Sequence, residues 1–176
     1  MSELTLSKPI FLCGMMGSGK STIGKRLAAR LNVPFRDLDK LITQQESMSI
    51  PGIFSQKGED YFRETERNLL IKECERTKGV MALGGGSLQN QQVVDHLKLV
   101  GRLVFLKVPQ SVLLKRLKSG RNRPMLSETN IEQKINQLLT ERNPFYEQAE
   151  ITISIGTESH NRVVDNLVKK LSVYEG

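Results

Sequence analysis

Short apolar runs and amphipathic segments alternate along this chain. Residues 9–13, Pro-Ile-Phe-Leu-Cys, form a brief apolar run of the kind buried on both faces of a parallel sheet. Ile23, Leu27 and Leu31 then recur at helical spacing, which predicts a helix beginning near Lys20. Residues 33–38 read as a second strand, and helical segments follow over 40–46, 51–57 and 59–77. In the last of these, Phe62, Leu69, Leu70 and Cys74 lie near one face. Residues 80–83 read as a third strand, 91–99 as a helix, and 102–108 as a fourth strand stopped by Pro109. Ser111 is placed to cap a helix running through Leu117. Residues 118–129 are polar, contain Gly120 and Pro124, and read as a mobile loop. Residues 131–146 are helical, with a kink or break expected near Asn143 because Pro144 lacks an N–H. Residues 151–155 give a fifth strand and 161–173 a closing amphipathic helix. Strands alternating with helices predict an α/β fold with a parallel sheet, and the length of 176 residues fits a single domain over 1–176.

Between the first strand and the first helix stands Gly14-Met15-Met16-Gly17-Ser18-Gly19-Lys20-Ser21-Thr22, which fits G-x-x-x-x-G-K-[ST]. Strand, glycine turn and helix together make a chance match improbable. Backbone N–H groups and a helix N-terminus converge there on an anion. Gly17 and Gly19 let the backbone approach a phosphate. Lys20 would reach the β- and γ-phosphates, and the Ser21 hydroxyl would ligate Mg²⁺. In open α/β sheets ligands bind beyond the carboxyl ends of the strands. Ser21, Asp37, Asp39 and Gly84-Gly85-Gly86 all fall at such ends and are expected to converge.

Asp37 and Asp39 are two apart, so an extended strand would point both carboxylates to one side. One could face Mg²⁺ or its waters and the other a substrate hydroxyl; the competing reading is a polar strand end with Asp39 capping the next helix. Arg63 and Glu66, at i,i+3, form either a pre-aimed guanidinium or a solvent-exposed ion pair. Three successive glycines after a strand suggest a tight turn or a close backbone approach to a ligand. Arg116, Lys118, Arg121 and Arg123 surround the polar loop, which could close over a nucleotide or be a solvated basic loop. Arg142 precedes Asn143-Pro144 near a helix end.

The net charge of +7 and pI near 9.5 admit a nucleic-acid-binding module. No basic run is long, however, and three tyrosines and six phenylalanines leave few stacking platforms. A dense small anion such as ATP accounts equally well for the arginines. No Asn-Lys-x-Asp tetrapeptide supports a GTPase switch. Cys13 and Cys74 have no metal-ligand spacing, and with two histidines a soft-metal site is not expected. No stretch is long and apolar enough to span a membrane and no leader pattern stands at the start, so a cytoplasmic protein is expected.

The motifs as a set resemble the shikimate kinase family. The resemblance covers nearly the whole chain: residues 14–22, Asp37-Leu38-Asp39, Ile53-Phe54, Gly58-Glu59 with Phe62-Arg63 and Glu66, Gly84-Gly85-Gly86, Arg123-Pro124-Met125-Leu126, and residues 141–146. It implies a P-loop fold like the nucleoside monophosphate kinases: a five-stranded parallel sheet flanked by helices, a substrate-binding segment at about 40–68 and a lid at about 118–128. It implies transfer of the ATP γ-phosphate to the 3-hydroxyl of shikimate in the chorismate pathway, with one Mg²⁺ ion. By motif position, Gly17, Ser18, Gly19, Lys20, Ser21 and Thr22 would bind ATP, with Ser21 on Mg²⁺ and Asp37 reaching it through water. Asp39 would hold the shikimate hydroxyls, either as base or by positioning alone. Arg63, Arg142 and a backbone N–H at Gly85 would bind the carboxylate, with Gly84 and Gly86 beside it in the substrate site and Glu66 orienting Arg63. Phe54 and Phe62 would line the ring, Arg116 would pack on adenine, and Arg123 would act on the transferring phosphoryl group. Lys20, Asp39 and Arg123 form the catalytic set. Partners would be shikimate and ATP alone, with the chain a monomer that binds neither nucleic acid nor membrane. Two departures stand in the substrate-segment linker: Ser47 where the family often has glycine, and Pro51-Gly52 where a polar residue is usual. The alternatives are another small-molecule kinase, of gluconate kinase type, and a nucleotide-dependent nucleic-acid-binding module.

Overall fold

Five parallel strands carry the molecule, in the order β2-β3-β1-β4-β5. The computed structural model describes residues 4–119 and 130–176. The strands are β1 (Ile10–Cys13), β2 (Phe35–Asp37), β3 (Val80–Ala82), β4 (Arg102–Lys107) and β5 (Ile151–Ser154). The helices are α1 (Lys20–Arg30), α2 (Leu38–Glu46), α3 (Ile50–Lys57), α4 (Glu59–Cys74), α5 (Gln91–Val100), α6 (Gln110–Ser119), α7 (Ile131–Tyr146) and α8 (His160–Glu175). β1 is central, and its Leu12 pairs with Ala82 on one side and Val104 on the other. The chain order reverses across β1, so the ligand crevice of such a sheet opens at its carboxyl end.

Side chains alternate along the strands and build two cores, one on each face of the sheet. Ile10, Leu12, Val104 and Leu106 pack with Ile23 and Leu27 of α1 and with Val164 and Leu167 of α8. Phe11, Cys13, Leu103 and Phe105 face the other way, onto Leu70 of α4 and Val94 of α5. All four residues of β1 are fully buried, which is why they read as an unbroken apolar run. The two cysteines are buried free thiols, and burial pushes the Cys13 thiol up to about 12.

Several boundaries differ from the sequence expectation. The second strand ends at Asp37, and Leu38 already begins α2. The Asp37 carboxylate accepts from the Asp39 and Lys40 N–H groups, so Asp37, and not Asp39, is the cap. Ser111 does not cap α6: the Val112 and Leu113 N–H groups donate to the Pro109 carbonyl, one turn earlier. Pro144 does not break α7, which runs unbroken from Ile131 to Tyr146. Pro144 withholds one N–H from the Thr140 carbonyl, and the Glu147 N–H still closes the last turn onto the Asn143 carbonyl. α4 stops at Cys74, where the Thr77 hydroxyl takes the Glu73 carbonyl. α8 starts one residue earlier than expected, capped by Ser159, and runs on to Glu175. The expected lid, with Gly120, Arg121 and Arg123, lies outside the described residues apart from its first two positions.

Candidate active site

The loop after β1 is closed by Gly19, the N-cap of α1, at φ 93° in the left-handed region. A residue with a side chain is strained there, and glycine is not. No side chain caps α1, and its first intrahelical bond runs from the Ile23 N–H to the Gly19 carbonyl at 2.8 Å. The preceding N–H groups of the first turn are therefore presented together, at the positive end of the helix dipole. Lys20 Nζ donates to the Gly14 and Met15 carbonyls at 2.8 and 3.1 Å, folded over the loop it would share with a phosphate. Ser18 is 1 % exposed, and its hydroxyl has no partner among the described residues. Ser21 and Thr22 are exposed on the first turn of α1. The Ser21 hydroxyl donates to Asp37 Oδ2 at 2.6 Å, which joins the end of β2 to the start of α1. Arg116 of α6 donates to the Gly17 carbonyl at 2.9 Å and so stands on the loop.

Asp39 does not sit on an extended strand beside Asp37; it lies in the first turn of α2. The Asp37 carboxylate is thus shared: Oδ1 accepts from the Asp39 and Lys40 N–H groups while Oδ2 meets Ser21. Asp39 is mostly buried, and its carboxyl is raised to about 6. Desolvation contributes most, followed by the negative charges of Asp37 and Glu66; Lys20 and Arg63 act in the opposite sense.

The glycine triplet is packed beneath charged side chains. A Cβ on Gly84 would stand 2.7 Å from Glu66 Oε2 and 3.1 Å from Asp39 Oδ1. One on Gly85 would stand 2.9 Å from Arg142 Nη1, and one on Gly86 2.6 Å from Arg63 Nη1. No other residue type lets two guanidiniums and two carboxylates approach one turn this closely. Glu66 is 3 % exposed, so its pairing with Arg63 at 2.9 Å is not a solvated helix ion pair. Its other oxygen accepts from the Ser87 hydroxyl at 3.0 Å, and that hydroxyl accepts the Gly84 N–H at 2.8 Å. Arg142 is 5 % exposed; Nε donates to Gln89 Oε1 at 3.2 Å, and Nη1 lies 3.7 Å from Met15 Sδ. It has no carboxylate partner among the described residues. Phe54 and Phe62 pair at 4.8 Å between ring centroids, and Arg63 lies 5.2 Å over the Phe62 ring.

The structure brings Ser21 to Asp37, Arg116 to Gly17, and Asp39, Arg63 and Arg142 to the glycine turn, while Phe54 meets Phe62. Arg123 lies outside the described residues. Ser87, Gln89 and Tyr146 bond to the glycine turn or to Arg142 and were given no role from the sequence, although Tyr146 closes the 141–146 motif. A serine three residues after Gly84 is a local hydroxyl–backbone signal that would have found Ser87. Gln89 and Tyr146 carry no such signal, because their partners are distant in sequence.

A family model described as Shikimate kinase matches residues 16–172. A shikimate kinase of a Sulfurihydrogenibium species is 42 % identical over 164 residues, covering 93 % of this chain and 98 % of that protein. The structure of Acinetobacter baumannii shikimate kinase in complex with shikimate superposes with a TM-score of 0.89 at 33 % identity, covering 98 % of this chain and 96 % of that one. A gluconokinase from Sinorhizobium meliloti superposes with a TM-score of 0.60 at 16 % identity, covering 98 % and 99 %, and shares the fold alone. The two arginines, the glycine turn and the phosphate loop thus stand in a chain that belongs to the shikimate kinase family.

Proposed function

We propose a division of labour among these residues for the reaction of this family, ATP-dependent phosphorylation of shikimate to shikimate 3-phosphate and ADP. The N–H groups over residues 17–22 cradle the ATP phosphates, and Lys20 exchanges its loop carbonyls for phosphate oxygens. Ser21 and Asp37 suit one Mg²⁺ ion, since two hard oxygen donors already meet at 2.6 Å beside the loop. When bound, the ion would neutralise charge on the phosphate oxygens. Arg116 stands on the donor side, next to the loop, where it can pack on the nucleotide base.

On the acceptor side, Arg63 and Arg142 hold the shikimate carboxylate over the glycine turn. Phe54 and Phe62 wall the ring. Asp39 holds the 3-hydroxyl and takes its proton as the hydroxyl oxygen bonds to the γ-phosphorus and the bond to the β-phosphate oxygen breaks. A carboxyl at about 6 suits a base working near neutral pH. Arg123 stabilises the transferring phosphoryl group from the lid segment. The chain works as a cytoplasmic monomer without nucleic acid; among the described residues no helix is long and apolar enough to cross a membrane.

The observation that carries the acceptor assignment is Arg142, a buried guanidinium whose partners among the described residues are a neutral amide, a thioether and a phenol. Burying an uncompensated charge is expensive, so the pocket is built for an anion. Coupled ADP-release assays test it. Arg142→Ala should raise the shikimate KM by roughly 30-fold or more, the loss expected when a charge-assisted bond to a carboxylate is removed. An unchanged KM, or wild-type turnover on gluconate and none on shikimate, would defeat the assignment.

A further inference from the structure

The last turn of α7 carries Arg142 and Tyr146, four residues apart and therefore on one face. Tyr146 is 1 % exposed, and its ring stacks on Phe105 of β4 at 5.1 Å between centroids. A buried phenol needs a partner for its hydroxyl. Here the hydroxyl donates to the Gly85 carbonyl, the middle of the glycine turn. Burial pushes the phenol well above its ordinary range, so the proton stays on and the group remains a donor.

The Gly85 carbonyl shares a peptide with the Gly86 N–H, and no peptide in the described chain is cis. Carbonyl and N–H of a trans peptide point in opposite directions. With the carbonyl drawn to Tyr146, the Gly86 N–H faces away from it. Gly86 is buried, and neither its N–H nor that of Gly85 donates to any group among the described residues. Buried N–H groups are rarely left this way unless a ligand takes them. The Arg142 guanidinium stands beside Gly85 and the Arg63 guanidinium beside Gly86.

We infer that Tyr146 is a positioning residue for the acceptor: its hydroxyl pins the Gly85–Gly86 peptide so that the Gly86 N–H joins Arg63 and Arg142 on the substrate carboxylate. One helix then supplies both a carboxylate-binding cation and the hydrogen bond that orients a neighbouring backbone donor. The inference rests on the acceptor assignment above. That assignment fails separately, through absent shikimate turnover in the wild type.

Tyr146→Phe keeps the ring on Phe105 and removes only the hydroxyl. The expected result is a shikimate KM raised about tenfold, the equivalent of one hydrogen bond, with the ATP KM unchanged and kcat within about threefold. A shikimate KM within twofold of wild type overturns the inference. So does a joint rise in both KM values with a lowered melting temperature, which marks a purely structural tyrosine. The wild-type protein gives an independent reading even if the variant does not fold. In ¹⁵N–¹H spectra the Gly86 amide resonance should move on saturation with shikimate and stay in place with an ATP analogue alone; a Gly86 resonance unmoved by shikimate overturns the inference.

Discussion

At the scale of single residues, the site withdraws charged side chains from water, Glu66 and Arg142 almost wholly. Asp39 shows the effect on protonation. Its folded-state carboxyl is raised to about 6 from the ordinary 3.8, so the buried charge opposes folding. That penalty is absent below the unfolded value, grows as pH rises between the two values, and is complete above about 6. Ligand-free Asp39→Asn is therefore expected to be more stable than wild type at pH 7, by up to about 3 kcal/mol, and to lose that advantage towards pH 4. Thermal unfolding of both proteins across that range measures it; the variant should also be inactive. The same shift predicts that shikimate kcat/KM falls on the acid side of about pH 6, where Asp39 becomes protonated. The residue types Asp39, Arg63 and Arg142 were legible in the sequence as candidates. The burial of Arg142 and Glu66 was not, and burial of Glu66 is what separates the Arg63–Glu66 pair from the weak surface pair that the same spacing describes.

At the scale of elements, all five strands and all eight helices among the described residues follow the hydrophobic period of the sequence, because each must turn an apolar face to one of the two cores. Their ends do not follow it. β2 stops at Asp37 because its carboxylate finds two N–H groups of the next turn, a local bond that outweighs continued extension. α7 passes through Pro144 at the loss of the bond to the Thr140 carbonyl, because the Glu147 N–H on Asn143 and the buried Tyr146 hold its last turn. The C-cap of α2 is another local matter. Ser47 stands at φ 51° and ψ 37°, a left-handed conformation that glycine adopts without strain. Ser47→Gly is expected to stabilise the protein by roughly 0.5–1 kcal/mol, since relief of strain exceeds the added freedom of the unfolded chain. A melting temperature that falls would show that the Ser47 side chain contributes something the backbone conformation does not reveal.

At the scale of the whole molecule, the two half-sites come from different parts of one sheet edge. The donor side hangs on β1 and α1, while the acceptor side joins the turn after β3 to arginines from α4 and α7. Their binding energies are therefore separable. In thermal-shift measurements Lys20→Ala should lose most of the rise produced by ATP and Mg²⁺ and keep that produced by shikimate; Arg142→Ala should do the reverse. At a hundredfold excess over Kd each retained rise corresponds to about 2.7 kcal/mol. Loss of both rises in either variant would show one coupled site. The sequence by itself determined the sheet class, the phosphate loop and its helix, and the candidate charges, because period, glycine placement and motif spacing are local properties of a chain. Only the tertiary structure decided that Asp37 serves both as the α2 cap and as the partner of Ser21. It also decided that Glu66 and Ser87 tie Arg63 to the glycine turn, and that Gln89 and Tyr146 brace Arg142 and Gly85. Those contacts join residues up to 61 positions apart, and no local pattern encodes which of many polar side chains will be enclosed together when two cores close around one sheet.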